Sequence, residues 1–212
     1  MASMQPLSSP PRLGILLSGR GSNFEAIARA VAEGRLHATI AVVISNRPAA
    51  PGLVRARELG LPAIAEPPAG RPRDDYDAAL VALLREHGVD LVCLAGFMRL
   101  LSPRFVQAFP RRILNIHPSL LPAFPGLEAQ TQALAAGVRF SGCTVHFVDE
   151  SLDGGPIISQ AIVPVQDADD VETLAERILR EEHRLYPEAI ALVLSGHYRL
   201  AGRRVLRLAS GG

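Results

Sequence analysis

The chain has 212 residues, of which 48% are hydrophobic, and its 22 Lys and Arg against 21 Asp and Glu leave a formal net charge of +1. This length can bury a substantial core without disulfides or a structural metal, so we expect a disordered tail over residues 1–11 and a single domain over 12–212. The nearly neutral charge provides no broad positive field for nucleic acid or an anionic membrane, and a small substrate with local phosphate recognition is expected instead.

The cysteines and the N-terminal segment bear on where the protein works. Cys93 and Cys143 each lie in an apolar run, which favours two buried free thiols over a disulfide, and no metal-ligand spacing is present. Residues 1–11 lack the basic region and the apolar run of a signal peptide, and no stretch approaches about 18 continuous apolar residues. The sequence therefore predicts a cytoplasmic protein.

The first half of the chain alternates short apolar strands with segments of helical period. The predicted elements are, in order, a strand at 13–17 ending in a glycine turn, a helix at 24–31, a strand at 38–45, a helix at 51–59, a brief strand at 63–65, a helix at 74–87 and an apolar strand at 91–95. This alternation is typical of a doubly wound α/β fold with a mostly parallel, Rossmann-like sheet.

The pattern changes after a strand at 113–117, which Pro118 ends. The later elements are a helix near 129–136, strands at 144–148 and 157–164, an amphipathic helix at 170–194 in which Pro187 is a candidate kink or break, and a terminal hairpin at 198–208. The two later strands predict antiparallel additions to one edge of the sheet.

Three polar residues between apolar runs carry the chemistry. Asn115 and His117 are two apart on one strand and share a face, and Asp153 follows in the segment SLDGGP. An amide can donate to a developing oxyanion, an imidazole can titrate, and a carboxylate can orient that imidazole or move a proton. The set suits acyl transfer at a neutral carbonyl, whereas the alternative is a strand-end Asn beside a buried structural His.

A glycine turn joins the first strand to the first helix. Gly19, Gly21 and Ser22 lie where backbone amides and a helix N-terminus can approach an anion. The turn lacks the third glycine of a dinucleotide fingerprint and the lysine of a Walker loop. A phosphate site and an ordinary turn capped by Ser22 or Asn23 both remain possible from the spacing alone.

Five segments of the chain resemble, in their order and spacing, those of the phosphoribosylglycinamide formyltransferase family. The members of this family are folate-dependent enzymes of purine synthesis. They are SGRGSN at 18–23, AGFMRLLSP at 95–103, LNIHPSLLPAFPG at 114–126, LDGGP at 152–156 and EEHRLYP at 181–187. The resemblance covers roughly residues 12–195. Its central block also resembles other 10-formyltetrahydrofolate enzymes, such as methionyl-tRNA formyltransferase, and the outer two segments narrow the choice.

The resemblance implies a role for each matching residue. Asn115, His117 and Asp153 correspond to the catalytic set. The phosphate and ribose of the ribonucleotide would lie against Gly19, Arg20, Gly21, Ser22, Asn23 and Glu182. The folate would contact Arg73, Met98, Arg99, Leu100, Leu101, Val148, Asp149, Glu150 and Asp153.

Two of these assignments, Glu182 and Arg73, have alternatives, and the nearby histidines His183 and His146 also need an interpretation. Composition alone places Glu182 on a solvated acidic helix face, and His183 is taken as structural. Arg71 could serve in place of Arg73, and His146 could face Asp153 or be a core histidine. Relatives often carry histidines just after Gly126, whereas this chain has Glu128 and Gln130 there.

The function that the resemblance implies is formyl transfer from 10-formyltetrahydrofolate, a cosubstrate, to the amine of 5-phosphoribosylglycinamide in de novo purine biosynthesis. No metal, nucleic acid or membrane is expected to take part, and the protein is expected to be a monomer or a homodimer. The competing interpretations are an aminoacyl-tRNA formyltransferase, a formyltetrahydrofolate hydrolase and a non-catalytic nucleotide-binding module.

Overall fold

The computed structural model describes residues 9–208, so most of the predicted tail, residues 1–8, lies outside the described residues. The strands are β1 (Arg12–Leu17), β2 (Thr39–Ser45), β3 (Ala63–Ala65), β4 (Leu91–Leu94), β5 (Ile113–His117), β6 (Phe140–Phe147), β7 (Ile157–Pro164), β8 (Tyr198–Ala201) and β9 (Arg204–Arg207). The helices are α1 (Ser22–Ala32), α2 (Pro51–Glu58), α3 (Arg73–Glu86), α4 (Pro103–Ala108), α5 (Ala129–Ala135) and α6 (Val171–Ser195).

Within residues 9–208 the strands form one sheet in the order β3-β2-β1-β4-β5-β6-β7-β9-β8. The five strands from β3 to β5 pair in parallel, as the alternating pattern predicts. Both faces of this part of the sheet are covered: one cluster joins Leu13 and Ile15 to helices α1 and α6, and another joins Leu16 to α3 and α4. The prediction of a doubly wound, mostly parallel α/β fold is confirmed.

The additions to the β5 edge are antiparallel for the most part. β6 pairs antiparallel with β5 and with β7, and β8 and β9 form the predicted terminal hairpin. The hairpin joins the sheet through a single parallel pairing of Ile157 with Arg204. The sheet is therefore parallel where the glycine turn lies and mostly antiparallel beyond β5.

Three details differ from the sequence predictions. The six-residue helix α4, which Ser102 caps by accepting from the Phe105 amide, was not predicted because it is too short to show helical period. Strand β6 starts at Phe140 and not at residue 144. The added part contains Gly142, and a Cβ at this position would lie 1.9 Å from the Ala161 carbonyl oxygen. Helix α6 continues through Pro187, since close packing of its buried face offsets the lost backbone hydrogen bond.

The cysteines are both buried and free, as predicted. Burial raises the pKa of the Cys143 thiol to about 12, so this thiol is inert near neutral pH. Among the helices of residues 9–208, none is long and apolar enough to cross a membrane.

Tyr186 fastens α6 to the centre of the sheet. Its side chain is fully buried, and its hydroxyl lies 3.0 Å from the carbonyl oxygens of both Leu94 and Leu114. These carbonyls belong to the neighbouring parallel strands β4 and β5. One hydroxyl on α6 thus fixes the helix relative to both strands.

We predict that Tyr186→Phe lowers the free energy of unfolding by about 1–2 kcal/mol, because the hydroxyl is lost from a dry site while the ring still fills its space. Urea denaturation of the folded variant measures this loss. Tyr198→Phe, in the half-buried outer hairpin, is the matched control and should change stability by less than about 0.5 kcal/mol. Equal effects of the two substitutions would contradict the assignment.

Candidate active site

Strand β5 carries Asn115 and His117 on one face of the sheet. Their neighbours Leu114 and Ile116 point to the other face and pack in the cluster beneath α6. Asn115 is the cross-strand partner of His146 on β6, and its Nδ2 atom lies 3.2 Å from the His146 Nε2. The alternation in the sequence therefore places an amide and two imidazoles together.

Asp153 reaches this cluster from the loop that follows β6. One of its oxygens, Oδ2, accepts from the Gly126 amide at 2.8 Å and lies 3.4 Å from the His117 Nδ1. The other, Oδ1, lies 3.8 Å from the His146 Nε2. The structure thus brings together Asn115, His117 and Asp153, and it adds His146, whose position the sequence left open.

Two glycines allow the Asp153 loop to pack this closely. At Gly155 a Cβ would lie 1.9 Å from the Phe147 oxygen, and at Gly154 it would lie 2.1 Å from the Ser151 hydroxyl oxygen. Asp153 itself has a positive φ of 49°, which is uncommon for a residue other than glycine. Gly155, which faces the Phe147 backbone, is therefore a steric requirement for this packing of the Asp153 loop, whereas the contact at Gly154 is with a side chain.

The hydrogen-bond partners of His117 define what its ring can do. Its Nε2 lies 2.9 Å from the Phe124 carbonyl oxygen, which can only accept, so Nε2 carries a proton. Its Nδ1 faces the Asp153 carboxylate. Both nitrogens thus face oxygen acceptors, an arrangement that an imidazolium satisfies completely and a neutral ring satisfies with one N–H only.

The glycine turn is built as a backbone cradle. Gly21, with a positive φ of 78°, is the N-cap of α1, and no side chain caps this helix end. The predicted alternative, a cap by the Ser22 or Asn23 side chain, is therefore wrong. The turn borders a cleft of about 230 Å³ together with Ala95, Gly96 and Met98 after β4. Backbone amides at the start of α1 are thus available to an anion in this cleft.

Arg47 lines the same cleft, although the sequence predictions did not include it among the site residues. It follows β2, where its amide donates to the Ser45 hydroxyl at 3.0 Å, and its side chain is exposed. The available signal was its place just beyond a parallel strand next to β1, because the carboxyl ends of neighbouring parallel strands meet at one edge. With Arg20, which is also exposed at this cleft, it supplies positive charge there.

Glu182 is buried, with 6% of its surface exposed. It accepts from the Asn23 Nδ2 at 2.7 Å, and burial raises the pKa of its carboxyl group. The Asn23 Oδ1 is buried and has no hydrogen-bond partner within residues 9–208. The interpretation of Glu182 as part of a solvated helix face is therefore wrong, because α6 packs on α1 and carries this carboxylate to the glycine turn.

The two segments assigned to a folate pocket lie on the same side of the sheet. Leu101 and Val148 both pack against the cluster around α3 and α4, while Met98 and Leu100 expose 59% and 61% of their surface. In the 148–153 loop, Asp149 accepts from the Ser151 amide at 2.9 Å. The exposed apolar side chains give this opening a surface suited to a flat ligand.

Among the charged groups of these segments, the Glu150 carboxylate accepts from Gln107 at 3.2 Å. The Arg99 guanidinium stacks over Tyr76 at 4.7 Å from the ring centre.

The arginine alternatives differ in their contacts. The Arg71 guanidinium donates to the Glu66 carboxylate and to the carbonyls of Pro67 and Pro68. Arg73 is the first residue of α3, and its side chain is exposed. The Arg71 guanidinium is thus held by hydrogen bonds within its own loop. In the part of the chain that the structure describes, no group of three or more His, Cys, Asp or Glu is arranged to hold a metal ion.

Comparison with known proteins decides the family. The formyl transferase family model matches residues 12–190. The chain belongs to this family. A glycinamide ribonucleotide transformylase 1 structure from Symbiobacterium toebii is 54% identical with a TM-score of 0.93, and the match covers 98% of each chain.

Two curated relatives of this formyl transferase differ in length. The phosphoribosylglycinamide formyltransferase of Bacillus subtilis is 42% identical over 86% of this chain and 94% of its own length. The trifunctional purine biosynthetic protein adenosine-3 of Drosophila melanogaster is 47% identical over 87% of this chain. The chain spans 14% of the length of that trifunctional relative.

The buried Glu182 carboxylate should make the stability of the fold depend on pH. Because folding raises the pKa of Glu182, the folded state binds its proton more tightly, and stability falls as pH rises from the ordinary glutamate pKa through the raised one. Glu182→Gln keeps the acceptor for Asn23 and removes this loss, so the variant should gain stability relative to the parent across that range. Urea denaturation between about pH 4 and pH 7 measures the difference.

The control for this experiment is Glu181→Gln, one residue earlier, whose carboxylate pairs with Arg184 at the surface. Such pairs contribute at most about 1 kcal/mol. A stability difference between parent and Glu182→Gln that stays constant over the whole range would contradict the buried, raised-pKa assignment.

Proposed function

We propose that this formyl transferase moves the formyl group of 10-formyltetrahydrofolate to the amine of 5-phosphoribosylglycinamide, giving formylglycinamide ribonucleotide and tetrahydrofolate. The observation that carries the proposal is the contact of Asp153 with His117, beside Asn115, at the edge of the sheet where the glycine turn also lies. The proposal includes one domain over 12–212 and a cytoplasmic monomer or homodimer.

The chemistry is direct attack of the amine on the formyl carbon. The new C–N bond forms as the carbonyl oxygen becomes an oxyanion, which accepts a hydrogen bond from the Asn115 amide and is stabilised by the positive charge of a protonated His117. Asp153 stabilises the imidazolium. The bond from the formyl carbon to the folate nitrogen then breaks, and the proton lost by the amine moves through Asp153 and a water to that nitrogen.

The acceptor substrate, a ribonucleotide, is assigned to the end of the site formed by the glycine turn and Glu182. The glycine turn of Gly19, Gly21, Ser22 and Asn23 provides backbone donors for a phosphate, and Arg47 and Arg20 add charge at the same cleft. Glu182, anchored by Asn23, offers acceptor oxygens suited to ribose hydroxyls. Hydrolysis of the folate alone would need none of these groups, which favours a ribonucleotide acceptor over water.

The folate is assigned to the opening between segments 98–101 and 148–153. Exposed apolar side chains there favour a pterin ring. Arg73 faces solvent while Arg71 is held by Glu66, so Arg73 is the arginine proposed for the carboxylates at the glutamate end of the cosubstrate.

The catalytic set is tested by Asn115→Ala, His117→Ala and Asp153→Asn. Each should lower kcat by at least about 100-fold in a folded protein, since each removes an oxyanion donor or a proton-transfer group. Steady-state kinetics with both substrates, and circular dichroism for the fold, provide the measurement. A folded Asp153→Asn variant with nearly normal kcat would exclude the proposed role of the carboxylate.

The two substrate assignments predict a reciprocal pair of effects. Arg47→Ala should raise KM for the ribonucleotide about tenfold and leave KM for the folate unchanged, because it removes one charged phosphate contact. Arg73→Ala should do the reverse, and Arg57→Ala, an exposed arginine on α2, is the control. If either variant shifts both KM values equally, the assignment of its arginine to one substrate fails.

A further inference from the structure

His146 is buried on β6, with 2% of its surface exposed, and both of its ring nitrogens have close polar neighbours. Its Nδ1 lies 2.9 Å from the Phe147 carbonyl oxygen. Its Nε2 lies 3.2 Å from the Asn115 Nδ2 and 3.8 Å from the Asp153 Oδ1. The ring therefore contacts Asn115, the proposed oxyanion donor, and is not itself proposed to bind the oxyanion.

These contacts define where the ring carries its proton. A carbonyl oxygen can only accept, so the His146 Nδ1 must be the donor to Phe147. In a neutral ring the Nε2 then presents a lone pair. An amide nitrogen can only donate, and the Asn115 Nδ2 can give one hydrogen to that lone pair. The opposite rotation of the Asn115 amide would place its carbonyl oxygen against the lone pair, with two acceptors facing each other.

We propose that His146 is a positioning residue: its neutral ring holds the Asn115 amide in the one orientation that leaves the second Nδ2 hydrogen free for the oxyanion. This inference rests on the proposed function, because it assigns a partner to the oxyanion donor of that reaction. It also explains a histidine in a buried strand, where an apolar residue would otherwise pack.

The groups around His146 keep it in this state. Burial lowers the pKa of the imidazole, and the nearby His117 lowers it further, while the bond to Phe147 and the charges of Asp153 and Asp149 act in the opposite direction. Burial is the largest of these effects, so the ring is neutral near pH 7. An imidazolium would carry a hydrogen on Nε2 and could no longer accept from Asn115.

The first test compares two substitutions at this position. His146→Gln retains an acceptor oxygen that can reach the Asn115 amide, whereas His146→Leu removes it at similar volume. We expect the Leu variant to lower kcat about 10–100-fold with both KM values within about twofold, and the Gln variant to recover most of the loss. Val145→Ala, on the same strand but in the cluster beneath α6, is the control for lost packing and should reduce stability without lowering kcat.

A double-mutant cycle separates positioning from general damage. If His146 acts through Asn115, His146→Leu should cause little further loss of kcat in an Asn115→Ala background. Multiplicative losses would overturn the proposal. So would a His146→Leu variant with normal kcat in an enzyme whose Asn115→Ala variant is impaired, and that result would leave the proposed function standing.

The second test does not depend on catalysis. Nitrogen-15 NMR of the full chain, with His146→Gln used to identify the signal, should show a neutral ring protonated on Nδ1 at pH 7. A ring protonated on Nε2, or on both nitrogens, would overturn the proposal even if the variants were impaired. Failure of the proposed function would show separately, as a parent enzyme that transfers no formyl group to the ribonucleotide.

Discussion

The site depends on the Asp153 carboxylate, because its two oxygens connect groups from three separate parts of the chain. Oδ2 contacts His117 on β5 and the Gly126 amide, and Oδ1 faces His146 on β6. Gly154 and Gly155 let the loop that carries Asp153 pack closely against Ser151 and the Phe147 backbone. The close packing of this loop and the contact of Asp153 with the histidines therefore depend on each other.

At the proposed acceptor end of the site, Glu182 has a comparable structural part. A buried carboxylate is costly unless it is hydrogen-bonded, and here Asn23 of the glycine turn provides the bond. The long helix α6 is therefore tied to the sheet through Tyr186 and to the turn through Glu182, one helical turn apart. Packing of one helix sets the distance between the proposed ribose site and the proposed catalytic cluster.

The sequence could predict what local period and turn chemistry determine. Alternation in 113–117 placed Asn115 and His117 on one face, and the strand-helix alternation predicted the parallel sheet. Long-range contacts were beyond it: Glu182 follows Leu174 and Ile178 at four-residue intervals on α6, but its partner Asn23 is 159 positions away. Arg47 was not predicted because its place at the cleft depends on β2 lying next to β1 in the sheet.

The most direct test of the account follows the formyl group itself. Purified protein would be given 10-formyltetrahydrofolate carrying carbon-13 in the formyl group, with and without 5-phosphoribosylglycinamide, and the products would be identified by NMR. The account predicts that the label appears in the new amide of the ribonucleotide, and that release as formate is negligible in either sample. Label recovered as formate at the same rate with and without the ribonucleotide would contradict it.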